Sequence, residues 1–285
     1  MTRLLSILFL TVLLTSPVVG QQPQSTLEKI KTTKTITMGY RESSFPFSFI
    51  GEDKKPAGYS VDLCTRIAAG VQRQLGPSDL SSKWLAVTPE NRITAVTDGT
   101  VDLECGSTTN TLSRQEQVDF SSMTFVDGGS LLVRTDARID RLSDIAGKRV
   151  AVVPGTTTEK VMAEALQKAN LTVQMIRVNE HADGIAALEN GSVDAYASDR
   201  VILIGLAMAS KDPSTLAISD QYFSYEPYGL MLRRGDADFR LAVNRVLARL
   251  YRSGEIVQVY ERWFGSFDRT SNLLQAMYLL HSLPE

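Results

Sequence analysis

One turn is written twice in this chain, as Asp98-Gly-Thr-Val-Asp-Leu103 and as Asn190-Gly-Ser-Val-Asp-Ala195. In each, a helix is expected to stop at a glycine that can take the left-handed conformation past a C-cap, and a strand to start through Val-Asp. The flanking elements match. Before the first copy the pattern predicts a strand at 35–40, a loop with Phe45, Pro46 and Phe47, a helix at 60–75, a strand at 83–87 and a short helix at 93–96; the copy itself opens a strand at 101–105. Before the second it predicts a strand at 148–153 and a hydroxyl-rich turn at 154–159. A helix follows with the stripe Val161, Met162, Ala165, Leu166 and Ala169, then a strand at 172–178 and a short helix at 184–188. Strands alternating with helices argue for parallel βαβ units. The expected fold class is α/β: two similar lobes with mostly parallel sheets, joined by two crossing strands.

Open sheets of this kind take ligands beyond the carboxyl ends of their strands. Here those ends are followed by Ser107 in one lobe and Asp199 in the other. The glycine-bearing apolar stretches 125–133 and 225–233 read as the crossings. The expected division is lobe 1 at 26–126 plus 230–265, lobe 2 at 127–229 with a crossing strand at each border, and a tail at 266–285. The return to lobe 1 supplies amphipathic helices at 239–251 and 254–264, and the tail holds one more apolar helix at 273–283.

The first twenty residues read as a removable leader: Arg3, an apolar run at 4–14, and the small-residue site Val18-Val-Gly20. The run is too short to span a bilayer, and no cysteine follows the cleavage site to carry a lipid anchor. A periplasmic location is expected. The formal net charge of −2 becomes one unit more negative without Arg3, which offers no electrostatic footprint for nucleic acid. Two cysteines in an oxidising compartment could pair. Cys64 lies on the helical stripe Cys64, Ile67, Ala68, Val71 and Leu75, and Cys105 ends an apolar strand. A disulfide and two buried thiols both stay open.

Several strings carry a family resemblance: Arg41-Glu-Ser-Ser, Gly58-Tyr-Ser-Val-Asp62, Glu90-Asn-Arg92, Glu104-Cys-Gly-Ser-Thr-Thr-Asn110, Ser113-Arg114, Val118-Asp-Phe-Ser121, Gly155-Thr-Thr157 and Gly254-Glu255 with Trp263-Phe264. Their order resembles the bacterial extracellular solute-binding proteins of the polar amino-acid family, over nearly the whole chain. The string at 104–110 with Arg41 and Arg92 upstream resembles the glutamate/aspartate-binding branch. The resemblance implies a type II periplasmic-binding-protein-like fold, a monomer, an acidic amino acid as ligand and the permease of an ABC transporter as partner. It implies no cofactor and no metal.

An acidic amino acid carries two carboxylates and one ammonium, and guanidinium forks suit carboxylates. The resemblance assigns the α-carboxylate to Arg114, helped by Thr109 and the loop amides around Thr156 and Thr157. It assigns the ammonium to Asp199, and the distal carboxylate to Arg41, Arg92, Ser107 and His181. Three arginines and one aspartate sum to +2 against a ligand of −1. Each residue also has a plainer role. Arg41 could be a solvated loop residue, Arg92 a helix cap, and Arg114 a surface partner of Glu116. Thr156–Thr158 could simply cap a helix. His181 could be a structural hydrogen bonder and Asp199 a surface partner of Arg200. Pro89 stands where the glutamate/aspartate branch commonly has a ligand-touching serine, so one distal contact is not expected. Two other functions compete. One is an enzyme on the same scaffold resembling cyclohexadienyl or arogenate dehydratases, although the sequence lacks the Walker, dinucleotide, nucleophile-elbow and metal-spaced motifs. The other is a ligand sensor for a membrane receptor.

Overall fold

The computed structural model describes residues 25–76, 79–265 and 270–284, so the expected leader lies outside the described residues. Helix α1 (Thr26–Thr33) leads into strand β1 (Thr35–Tyr40). A small antiparallel ribbon, β2 (Ser43–Ser44), β3 (Ser48–Ile50) and β4 (Pro56–Ala57), precedes α2 (Tyr59–Leu75). Then come β5 (Ser81–Ala86), α3 (Arg92–Thr97), β6 (Leu103–Glu104), α4 (Leu112–Gln115) and β7 (Val118–Phe120). The chain crosses through β8 (Phe125–Asp127) to β9 (Gly129–Arg134), and continues with β10 (Arg149–Val152), α5 (Thr157–Lys168), β11 (Gln174–Arg177) and α6 (His181–Glu189). β12 (Ala195–Asp199), α7 (Arg200–Ala209) and β13 (Leu216–Ile218) close that run. It returns through β14 (Glu226–Tyr228) to β15 (Met231–Arg233), followed by α8 (Ala237–Ser253), α9 (Glu255–Phe264) and α10 (Asn272–Leu280).

Two five-stranded sheets result, in the orders β5-β1-β6-β15-β7 and β11-β10-β12-β9-β13. The orders have the same form: second strand, first, third, then the strand joined to the crossing, then the fourth. The first three strands pair in parallel in each sheet. The strand joined to the crossing pairs antiparallel on both sides. The sheets are therefore mixed, with four strands of each running one way. This agrees with the expected mostly parallel sheets; the antiparallel strand in each enters from the other sheet and not from a βαβ unit.

The repeated turn has repeated geometry. Gly99 and Gly191 both sit at φ of 77°, a conformation costly for a side chain with a Cβ. Beyond them, the Val101 amide donates to Ala95 O at 2.8 Å and the Val193 amide to Ala187 O at 3.2 Å. One residue on, Asp102 accepts from the Thr37 amide at 2.9 Å, and Asp194 from the Arg149 amide at 2.8 Å. Each aspartate ties the start of the third strand to the first strand of its sheet.

Helix α8 places Phe239, Ala242, Val243, Val246, Leu247 and Leu250 at three- and four-residue spacing, all buried. Each large side chain buried this way contributes roughly 1.5–3 kcal/mol. The stripe packs on α2, whose Cys64, Ile67, Ala68 and Val71 are buried in the same core. Cys64 and Cys105 are joined by a disulfide with Cα atoms 6.2 Å apart.

The crossing strands β8 and β14 pair antiparallel, Phe125 opposite Tyr228 and Asp127 opposite Glu226. They are seated on aromatic rings: Phe47 meets Phe125 at 4.9 Å, Tyr228 at 5.1 Å, Phe264 at 5.4 Å and Tyr59 at 6.2 Å between centroids. Helix α7 has no clear polar face in its sequence and buries Val201, Ile202, Leu203, Gly205 and Leu206, which is why helical periodicity does not reveal it. Helix α10 buries Leu274, Met277 and Tyr278, and the Tyr59 and Tyr278 hydroxyls lie 2.9 Å apart. Among the described residues no helix is long and apolar enough to cross a membrane.

Candidate ligand-binding site

Eight of the nine expected site residues line one cavity of about 20 Å³: Arg41, Arg92, Ser107, Thr109, Thr156, Thr157, His181 and Asp199. Thr158, Ser198 and Ile202 complete the lining. Space of that size holds about one water, so an amino acid can occupy it only if the walls part. Residues following β1 and β6, with Arg92 at the start of α3, form one wall. The start of α5, the start of α6 and the end of β12 form the other. The strand ends of both sheets therefore face each other across the cavity.

Arg114 does not line the cavity but lies beside it. Its Nη1 donates to Thr109 O at 2.9 Å and its Nη2 to Gly155 O at 3.2 Å. The alternative of a surface pair with Glu116 does not hold. Asp199 likewise does not pair with Arg200, which faces Asp220 at 3.9 Å. Arg41 is 1% exposed and so is not a solvated loop residue. Thr156 keeps its plainer role: its hydroxyl donates to Val153 O at 2.7 Å and accepts from the Glu159 amide at 3.2 Å, capping α5. Gly155, at φ of 72°, lets this loop approach the other wall. A Cβ there would stand 3.1 Å from the carbonyl oxygen of the buried Pro89.

Burial governs the electrostatics. Arg92 Nη1 donates to Thr108 at 2.7 Å, and Thr108 donates in turn to Glu104 at 2.8 Å. Desolvation, then the nearby Arg114, pulls Arg92 down to about 9, and desolvation likewise lowers Arg114. Burial pushes Glu104 up, partly offset by Arg92. Burial, then Arg41 and Arg92, lowers His181 to about 3, so its ring is neutral. His181 Nδ1 lies 2.5 Å from the Tyr196 hydroxyl. Burial, then Glu226 and Asp127, raises Asp199 to about 8, while Tyr228 donates a short hydrogen bond to it and Thr158 another at 3.1 Å. Asp127, which accepts from the Val201 amide at 3.0 Å, is raised by burial to about 7.

Three buried or half-buried carboxylates escape the sequence reading. Glu226 accepts from Thr109 at 2.5 Å, Thr157 at 2.6 Å and Ser224 at 2.6 Å. Glu180 accepts from Arg41 Nη2 at 2.6 Å and from the Ser43 hydroxyl at 2.8 Å. Glu104 stands against Arg92 through Thr108. The charge sum of +2 is thus corrected: three arginines face Glu104, Glu180, Asp199 and Glu226. The available signal was an acidic residue inside an apolar run, Glu104 in Val101-Asp-Leu-Glu-Cys105 and Glu226 in Tyr225-Glu-Pro-Tyr228. Among the described residues, Nε of Arg41, Nε of Arg92 and Oε1 of Glu104 are buried without a hydrogen-bond partner. Donor capacity therefore remains at the two arginines assigned to the distal carboxylate.

Such an arrangement, in which buried guanidinium donors and carboxylates are interleaved around one cavity, suits a small ligand that carries both signs of charge. The family model for bacterial extracellular solute-binding proteins, family 3, matches residues 36–266. The L-glutamate/L-aspartate-binding protein of Pseudomonas aeruginosa is 38% identical over 262 residues, covering 92% of this chain and 87% of that one. The glutamate/aspartate import solute-binding protein of Salmonella typhimurium is 37% identical over 240 residues, covering 84% and 80%. Among solved structures, an ancestral arginine-binding protein bound to arginine has a TM-score of 0.73 at 27% identity, covering 81% of this chain and 99% of that one. This chain belongs to the bacterial extracellular solute-binding proteins of family 3.

Proposed function

We propose that this protein binds an acidic amino acid, glutamate or aspartate, between two lobes in the periplasm and delivers it to the permease of an ABC importer. The single observation that carries the reading is the convergence of buried Arg41 and Arg92, with Arg114 beside them, on one cavity whose far side holds Asp199, with Glu226 behind the lining hydroxyls of Thr109 and Thr157. Relatives named for glutamate/aspartate binding and import support it.

In this reading lobe 1 comprises residues 26–126 and 230–265 and lobe 2 residues 127–229, with β8 and β14 as the hinge. Arg114, Thr109 and the start of α5 take the α-carboxylate, where free amides and the helix dipole favour an anion. Asp199, joined by Glu226, takes the ammonium. Arg41, Arg92, Ser107 and His181 meet the distal carboxylate. With the Tyr196 hydroxyl donating to Nδ1, neutral His181 offers its Nε2–H as a donor without adding charge. The protein is proposed to act as a monomer.

Calorimetry with the twenty amino acids, paired with small-angle scattering, tests the reading. Glutamate and aspartate bind and contract the molecule, and glutamine does so far more weakly. Binding of amides and acids with equal affinity would overturn it, as would turnover of prephenate or arogenate.

A further inference from the structure

We propose that Glu180 is a latch between the lobes, drawing the cleft shut by reaching across it to Arg41. This deepens the two-lobe binding reading and rests on it. Glu180 stands at the N-terminus of α6 and Arg41 directly after β1, so the pair joins elements of the two different sheets. The Arg41 Nη2 to Glu180 distance is 2.6 Å, and the Ser43 hydroxyl holds the same carboxylate oxygen at 2.8 Å. The arginine side chain is 1% exposed and the glutamate side chain 25% exposed. The bond is therefore sealed on its cationic side and reachable by water on its anionic side.

That asymmetry suits a latch. If the walls part, Arg41 loses its carboxylate partner, while Glu180 regains water. The charge-assisted bond to Arg41 and the bond from Ser43 exist only across the shut cleft, so they weight the equilibrium towards the shut form. The backbone amide of Glu180 is itself held by Asp183 at 3.1 Å, which fixes the end of α6 and aims the carboxylate across the cleft. Glu180 also engages one of the two arginines assigned to the distal carboxylate, leaving Arg92 as the cation not paired to a carboxylate directly.

Two variants separate this role from helix capping. Glu180→Gln keeps the length and removes the charge. Glu180→Asp keeps the charge and is at least as good an N-cap, but is one methylene too short for the bridge. The purified protein is unfolded, dialysed and refolded to strip carried-over amino acid. Spin labels at one exposed position of each lobe then report the shut fraction without ligand, and stopped flow reports glutamate release. Both variants are expected to lower the ligand-free shut fraction several-fold and to speed glutamate release about tenfold, since loss of a buried charge pair acts on dissociation. Shut fractions and release rates equal to the parent's would overturn the latch. So would recovery of parent behaviour by Glu180→Asp, which assigns the residue to capping. A parent protein that binds neither glutamate nor aspartate, yet opens when Glu180 is changed, would uphold the latch and sink the ligand assignment.

Discussion

The Thr157 hydroxyl donates to the Glu226 carboxylate at 2.6 Å, which ties the first turn of α5 to the crossing strand β14. The same oxygen accepts from Thr109 at 2.5 Å, so one carboxylate joins both walls of the cavity to the hinge. Glu226→Gln should weaken glutamate and aspartate together by about 1.5–3 kcal/mol, the range for a hydrogen bond to a charged group. Calorimetry with 2-oxoglutarate, which lacks the ammonium, is the control. An equal loss for that ligand would show that Glu226 shapes the site without reading the ammonium.

Arg92 should decide between acid and amide. Glutamate and glutamine have nearly the same size, so shape alone barely separates them. Arg92→Ala is expected to cost glutamate roughly 2–5 kcal/mol and glutamine much less. Arg114→Ala should weaken every amino acid, because all share the α-carboxylate. Equal losses for glutamate and glutamine in Arg92→Ala would remove the side-chain role of Arg92.

The ligand-free fold should lose stability as pH rises. Asp199 keeps its proton to about 8 against an ordinary carboxylate value of 3.8. The unfolded chain gives that proton up near 4, so between those values it binds fewer protons than the folded chain. The contribution is full below about 4 and is lost as pH climbs through about 8. Asp127, raised to about 7, acts in the same direction. Urea midpoints from pH 5 to pH 8 should fall, and Asp199→Asn should flatten the slope. A bound ammonium favours the ionised carboxylate, so glutamate should stabilise more at pH 8 than at pH 5. A slope unchanged by Asp199→Asn would exclude Asp199 as its source.

The disulfide between Cys64 and Cys105 closes a loop with a sequence separation of 41 residues. Chain-entropy reasoning assigns such a link about 3–4 kcal/mol. Denaturant unfolding with and without a reductant should show a loss of that order, matched by the Cys64→Ala/Cys105→Ala double variant. Identical midpoints would place the stability of the first sheet in its apolar packing.

Much of this was legible along the chain. The turns at Asp98 and Asn190 announced two alike units, because a left-handed glycine followed by Val-Asp satisfies the same local backbone demands in each. Apolar spacing revealed α2, α5 and α8 for the same reason: periodicity is a property of neighbours in sequence. Family strings brought Arg41, Arg92 and Arg114 to attention, and a strand end brought Asp199, but their residue types alone fitted solvated, capping or surface-pair roles equally well.

What the chain could not state was which distant groups meet. Glu226 reads as part of a bending connector, and only pairing of β14 with β8 sets it between Thr109 and Thr157. Glu180 and Arg41 are 139 residues apart, and nothing near either one names the other. The +2 charge sum failed on this point, since it counted residues flagged by motif and could not count carboxylates brought in by folding. Local propensity and periodicity act over a few residues and are written in order. Desolvation and charge pairing act through space, so the sequence determined the elements, and the tertiary structure decided which charges those elements bury against one another.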